Sequence, residues 1–160
     1  ELVKELDPEI RPVGVFVNAP MELVRTLLDD GTLALAQLHG QEDESYIREL
    51  KTYTDKLIIK AFSIKTAEDI EKALQSPADY ILLDQGGGGT GKTFDWSLIP
   101  EIQRPFFLAG GIGTSNLGQA IREIHPYAVD LSSSVETEKR KDPMKIRQVV
   151  DIVREIKIIN

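Results

Sequence analysis

Residues Tyr80 to Trp96 read YILLDQGGGGTGKTFDW: an apolar run, one carboxylate at Asp84, then a glycine loop. A short apolar run bounded by glycine reads as a buried strand of a parallel sheet. An acid at the C-terminal end of such a strand is where a βα barrel presents chemistry to a substrate. The same letters allow a second reading. Gly86, four residues, then Gly91, Lys92 and Thr93 meet the spacing of the phosphate loop of nucleotide-hydrolysing enzymes. That loop must open directly into a helix whose N-terminal amides complete the phosphate cradle. Here Thr93, Phe94, Asp95, Trp96 and Ser97 lead to Pro100 within a few residues, and Asp95 or Ser97 reads as the N-cap of a short helix ending near Gln103. Loop and helix are therefore separated, and a nucleotide-binding protein is the alternative rather than the main reading.

On both sides of this stretch, β-branched or apolar runs alternate with amphipathic segments, the pattern of repeated βα units. Strands are predicted at Val13 to Val17, Leu33 to Leu38, Leu57 to Phe62, Tyr80 to Asp84, Phe106 to Ala109 and Ala128 to Ser132. Helices are predicted at Met21 to Asp29, Glu44 to Thr54, Thr66 to Gln75, Ser97 to Gln103, Ser115 to Ile124 and Pro143 to Ile156. The Thr66 start carries a capping-box spacing to Asp69. A doubly wound open sheet would give the same alternation. The polar residues favour the barrel, because Asn18, His39, Lys60, Asp84, Gly110 with Gly111, and Ser132 to Ser134 all fall at C-terminal strand ends. The expected fold class is thus α/β of the TIM-barrel type, with residues 1–160 forming a single domain.

The 160 residues are 41% apolar, enough for one buried core. A formal charge of -7, from 19 basic and 26 acidic residues, gives no basic cluster able to neutralise a run of phosphodiesters, so nucleic acid is not an expected partner. Cysteine is absent, which excludes disulfides, thiolate metal sites and a thiol nucleophile within the sequence. No apolar run reaches the length of a membrane span, and the first residues lack the basic and apolar regions of a signal peptide. A soluble cytoplasmic protein with no membrane partner is the expectation.

Several blocks together resemble phosphoribosylanthranilate isomerase of tryptophan biosynthesis: VGVFVN at Val13 to Asn18, AQLHG at Ala36 to Gly40, IKAF at Ile59 to Phe62, LLD at Leu82 to Asp84, GGTGKTFDW at Gly88 to Trp96, LAGGI at Leu108 to Ile112, VDLSSSVE at Val129 to Glu136 and KDPMKI at Lys141 to Ile146. The resemblance implies an eight-stranded βα barrel of which this chain supplies about six units, the third to the eighth, with the N-terminal first two absent. It implies a cofactor-free Amadori rearrangement, aldose to ketose, of N-(5-phosphoribosyl)anthranilate to 1-(2-carboxyphenylamino)-1-deoxyribulose 5-phosphate. A general acid protonates the furanose ring oxygen, and a general base then removes the C2 proton.

By the same resemblance Asp84 is the general acid. The base is a cysteine of the first strand that this sequence lacks, as it lacks the arginine that helps hold the anthranilate carboxylate. His39 is either a strand-end histidine satisfied by backbone or a substrate contact, and Asp130, set within a strand, reads as a second substrate-binding group. Gly110, Gly111, Ser132 and Ser133 read as the phosphate site, and Ser134 stands where the family more often has glycine. Gly86, Gly87, Gly88, Gly89 and Gly91 read as hinges of a lid loop. Lys60 reads equally as a barrel-interior cation or a snorkelling stem. The expected partners are a small phosphorylated substrate and either a complementary N-terminal segment or a second copy of the chain. An inactive barrel fragment that keeps the phosphate site is the other alternative.

Overall fold

Proline, aspartate and short apolar runs punctuate the chain into alternating strands and helices, as the computed structural model of the protein shows for residues 2–85 and 95–159. After a 3-10 turn at Leu2–Glu5 come β1 (Val13–Phe16), α1 (Met21–Asp29), β2 (Leu35–Leu38), α2 (Glu44–Tyr53), β3 (Leu57–Ser63), α3 (Ala67–Leu74) and β4 (Tyr80–Asp84). There follow β5 (Phe106–Leu108), α4 (Leu117–Ile124), β6 (Ala128–Val129), a short antiparallel pair β7 (Glu136–Thr137) and β8 (Arg140–Lys141), and α5 (Pro143–Ile159). The strand order is β1-β2-β3-β4-β5-β6, and β1–β2, β2–β3 and β5–β6 pair in parallel. This is an α/β fold with a parallel sheet.

The chain divides into two compact units, Glu1–Ala61 with Leu74–Ile81, and Phe62–Ala73 with Leu82–Asn160. In the first, Val24 and Leu28 of α1 and Ile47 and Leu50 of α2 bury their side chains with Phe16, Ala36, Leu38 and Ile58. Helical spacing puts each helix pair on one face. Burying each such large aliphatic side chain is worth about 1.5–3 kcal/mol. The α2 helix starts where Asp43 accepts a hydrogen bond from Tyr46 N at 2.9 Å. All four residues of β2 are buried, as in a strand covered on both faces. By contrast β1, first in the strand order, leaves Val13 and Val15 exposed by 40% and 61%, and Val17 just beyond it by 65%, while its other face buries Phe16.

In the second unit, Leu82, Leu83 and Leu108 of the strands and Ile64, Ile70, Leu117 and Ala120 are buried almost completely. The α4 helix packs against α5. Half of the capping box at α3 forms: Asp69 Oδ2 accepts from the amides of Lys65 at 3.0 Å and Thr66 at 2.9 Å, while the Thr66 hydroxyl donates to the same oxygen at 3.2 Å.

Two predicted elements are corrected. In place of a helix from Ser97 to Gln103 there is a 3-10 turn, Trp96–Leu98. Asp95 does cap it, accepting from Ser97 N at 2.9 Å. Pro100 has no N–H to continue a helix and holds Ile99 in extended backbone, at φ -79 and ψ 112. The strand predicted through Ser132 stops at Val129, so Asp130 follows a strand rather than lying within one. Its amide still donates to Leu108 O at 2.9 Å. Beyond it Ser132, at φ -122 and ψ -83, leads into a 3-10 turn at Ser133–Val135. Among the described residues no helix is long and apolar enough to cross a membrane.

Candidate active site

In the first unit the strand ends are tied together by one buried ion pair. Beyond β1 the chain turns at Asn18, a left-handed residue at φ 52. Its amide donates to Glu42 Oε1 at 2.6 Å, and its side-chain Oδ1 accepts from Gln41 N at 2.6 Å. Gly40 lies so close that a Cβ there would stand 2.5 Å from Asn18 Oδ1 and 2.6 Å from Asn18 N, a space only glycine fits. Glu42 and Lys60 are 7% and 5% exposed. Lys60 Nζ donates to Glu42 Oε2 at 3.1 Å, Gly40 O at 2.7 Å and Leu38 O at 3.3 Å, while Glu42 Oε2 also accepts from Gly40 N at 2.9 Å. Lys60 is therefore no snorkelling stem: its ammonium is itself buried, as the reading of an interior cation has it. It fastens the turn after β2.

Burial pushes the Glu42 carboxyl pKa up, but hydrogen bonds from its own amide, the Asn18 amide and the Lys60 ammonium, with the charge of Lys60, outweigh this and hold it below the ordinary value. A carboxylate held lower in the folded state than in the unfolded chain stabilises the fold above the unfolded pKa, and that contribution is lost as the pH falls through the folded one. Urea unfolding of the wild type is accordingly expected to weaken through this acid range. Glu42→Gln should flatten that part of the profile, leaving the slope due to the remaining carboxylates.

His39 follows β2 directly. Its amide donates to Phe16 O at 2.7 Å, carrying the β1–β2 pairing one residue further. Its ring Nδ1 lies 3.1 Å from Nε2 of Gln37, a residue 6% exposed.

In the second unit Asp84 closes β4, half-buried, with its carbonyl accepting from Ile64 N at 2.7 Å. Ala109 N donates to Leu83 O at 2.8 Å, which brings the glycines after β5 beside the acid. A Cβ on Gly110 would meet Asp84 Oδ1 at 2.6 Å and Gln85 N at 2.7 Å. Gly110 and Gly111 have φ of 80 and 68. Asn116 ties the loop, its Oδ1 accepting from Gly113 N at 2.9 Å and its Nδ2 donating to Gly111 O at 3.0 Å.

Gly113 in turn faces the serine turn, where a Cβ on it would stand 3.1 Å from Ser134 Cβ. The two loops read as a phosphate site are thus neighbours. Ser134 has no positive φ, so the turn accepts serine in the glycine position with ordinary backbone. Ser132 and Ser133 are exposed, and Lys141 Nζ reaches Ser132 O at 3.0 Å, Ser132 Oγ at 3.3 Å and Glu136 Oε1 at 2.7 Å.

Gly110→Ala is expected to lower the unfolding free energy by about 1–3 kcal/mol through backbone strain alone. It should also displace the Asp84 carboxyl, which a shift of that side chain's carboxyl carbon-13 signal would report.

His39 thus lies in one unit, and Asp84, Asp130, Gly110, Gly111, Ser132 and Ser133 in the other. The hinge glycines Gly86, Gly87, Gly88, Gly89 and Gly91 lie outside the described residues. Sequence reasoning missed Gln37, Glu42 and Lys141. Gln37 was findable, since residues two apart on a strand share a face. Glu42 was not, because GQED reads as a solvated polar turn.

Comparison with known proteins identifies the family. The family N-(5'-phosphoribosyl)anthranilate (PRA) isomerase matches residues 1–152. The N-(5'-phosphoribosyl)anthranilate isomerase of Endomicrobium trichonymphae is 44% identical over 155 residues, 94% of this chain and 76% of the relative. A phosphoribosyl anthranilate isomerase structure in complex with reduced 1-(o-carboxyphenylamino)-1-deoxyribulose 5-phosphate superposes with a TM-score of 0.80 at 34% identity, covering 96% of this chain and 76% of that one. Monomers of the dimeric enzyme from Thermotoga maritima give 0.81 at 32% identity, over 96% of this chain and 76% of theirs. With family match, sequence identity and fold in accord, the chain belongs to the N-(5'-phosphoribosyl)anthranilate isomerase family.

Proposed function

We propose that Asp84 is the general acid of this isomerase, and that Gly110, Gly111, Ser132 and Ser133 hold the substrate phosphate. The chain is an isomerase of tryptophan biosynthesis, acting on N-(5'-phosphoribosyl)anthranilate. The carrying observation is the strand-end carboxylate of Asp84 set against the Gly110 backbone, close enough to exclude even a methyl group.

The product analogue bound by the related enzyme carries a phosphate and an anthranilate carboxylate, and a substrate of that kind suits what these residues offer. Left-handed glycines let backbone approach an anion, the Ser132 and Ser133 hydroxyls and amides can donate to it, and Lys141 beside Ser132 adds positive charge. As general acid, Asp84 delivers a proton to the furanose ring oxygen. The ring opens to a Schiff base, and loss of the C2 proton to a base gives an enolamine that tautomerises to the ketone. His39 and Asp130 contact the substrate.

No cysteine occurs in the sequence. The base the resemblance implies is then contributed by a segment outside these residues, with residues 1–160 forming six of the eight βα units of one barrel domain in the cytoplasm. The companion is a complementary N-terminal segment, and self-association is the second arrangement, favoured by the dimeric state of the Thermotoga maritima relative.

Native mass spectrometry of the purified, active species tests this. A companion of several tens of residues bearing a cysteine is the expected result. Full turnover by a lone chain would remove the cysteine base from the mechanism.

A further inference from the structure

We propose that Lys141 is a positioning residue of the phosphate site, whose ammonium fills a lone pair of Ser132 Oγ and so turns that hydroxyl outward as a hydrogen-bond donor. The inference rests on the reading of Ser132 as a phosphate contact and goes one step past it, to what makes the hydroxyl a donor.

A hairpin carries Lys141 back to the serine turn. Strands β7 and β8 pair antiparallel with Glu136 opposite Lys141 and Thr137 opposite Arg140, which leaves Glu138 and Lys139 as the loop. Both loop residues are left-handed, at φ 50 and 62, the backbone that so tight a hairpin demands and that Gly or Asn more often supplies. The base of the hairpin is tied on each side, since Asp142 N donates to Val135 O at 2.9 Å and Lys145 Nζ to Glu136 O at 2.6 Å. The cross-strand neighbours Glu136 and Lys141 close an ion pair of 2.7 Å. The fold itself therefore holds the Lys141 ammonium against Ser132.

An ammonium has three hydrogens and no lone pair. Lys141 Nζ donates to Glu136 Oε1, to Ser132 O at 3.0 Å and to Ser132 Oγ at 3.3 Å. Toward Lys141 the Ser132 hydroxyl can only accept, so its own hydrogen is turned away from the positive charge. Ser132 is exposed, which opens that hydrogen to a ligand. A hydroxyl oriented and polarised by a cation suits a phosphate oxygen, an acceptor that takes charge-assisted hydrogen bonds. Glu136 offsets the charge of the ammonium, so the contribution of Lys141 lies more in orienting Ser132 than in drawing an anion from a distance.

The test is a double-mutant cycle of Lys141→Met and Ser132→Ala on the species that turns over, read as the dissociation constant for reduced 1-(o-carboxyphenylamino)-1-deoxyribulose 5-phosphate. Ser132→Ala is expected to weaken binding about tenfold. Lys141→Met should cost about tenfold beside Ser132 but only about twofold beside Ala, because the main-chain and charge contributions persist while the oriented hydroxyl is gone. Lys141→Arg, which keeps the charge and the donors, should restore most of the affinity. In turnover, Lys141→Met should raise KM by more than it lowers kcat. The Lys141 side chain is 52% exposed, so the variant is expected to fold, and urea unfolding checks this. Lys141→Gln takes its place in the cycle if it does not.

Equal losses in the two backgrounds overturn the proposal and leave Lys141 as a charge or a brace of the turn. Unchanged binding by Lys141→Met overturns it as well. Should Ser132→Ala bind as tightly as the wild type, the reading of Ser132 as a phosphate contact falls first, and this inference falls with it.

Discussion

Asp84→Asn is expected to lower isomerase kcat by about 10² to 10⁴, the usual worth of a positioned proton transfer, with KM changed little. Asparagine keeps the size of the side chain and its ability to accept through one oxygen, but it has no acidic proton to give to the ring oxygen. Even a Cβ on Gly110 would stand 2.6 Å from Asp84 Oδ1, so the acid is closely packed on that side. Steady-state kinetics on the species that turns over measures the effect. A variant that keeps its kcat would take the acid's role away from this strand end. A rise in KM at unchanged kcat would assign Asp84 to binding alone.

Lys60→Met is expected to destabilise the fold by about 3–5 kcal/mol, the range for removing one partner of a buried ion pair. The side chains of Lys60 and Glu42 are 6% and 2% exposed, so the orphaned carboxylate cannot turn to water. Two backbone amides would still donate to it, which places the loss nearer the lower end. Combining Lys60→Met with Glu42→Gln should recover much of the difference, and a double-mutant cycle in urea yields the coupling. The exposed pair Arg48–Glu44, 66% and 59% exposed, serves as the contrast, with an expected cost of about 0–1 kcal/mol.

The fold was legible wherever local chemistry and tertiary packing agreed. Helix α1 and strand β4 begin and end at the predicted residues, with Pro20 opening the one and Asp84 closing the other. The helix after Asp95 was overextended because its cap was read without the veto of Pro100. The strand at Ala128 was overextended because a ladder bond at Asp130 persists after regular pairing has ended. At the site, residues that act through a strand end were visible in the letters, as with Asp84 and the paired glycines. Glu42 was hidden because its burial comes from a partner 18 positions away, and no local pattern encodes that contact. For Lys60 the sequence posed two options, and the burial of its ammonium against Glu42 decides for the interior cation over the snorkelling stem.

The fastening of the turn after β2 also bears on heredity. A lineage that changes Glu42 or Lys60 alone must pass through a protein carrying a buried charge with no counterpart. Two changes at once avoid it, and these are rare. The two positions are therefore inherited as a single character, and in any descendant of this chain the residue at one should foretell the residue at the other.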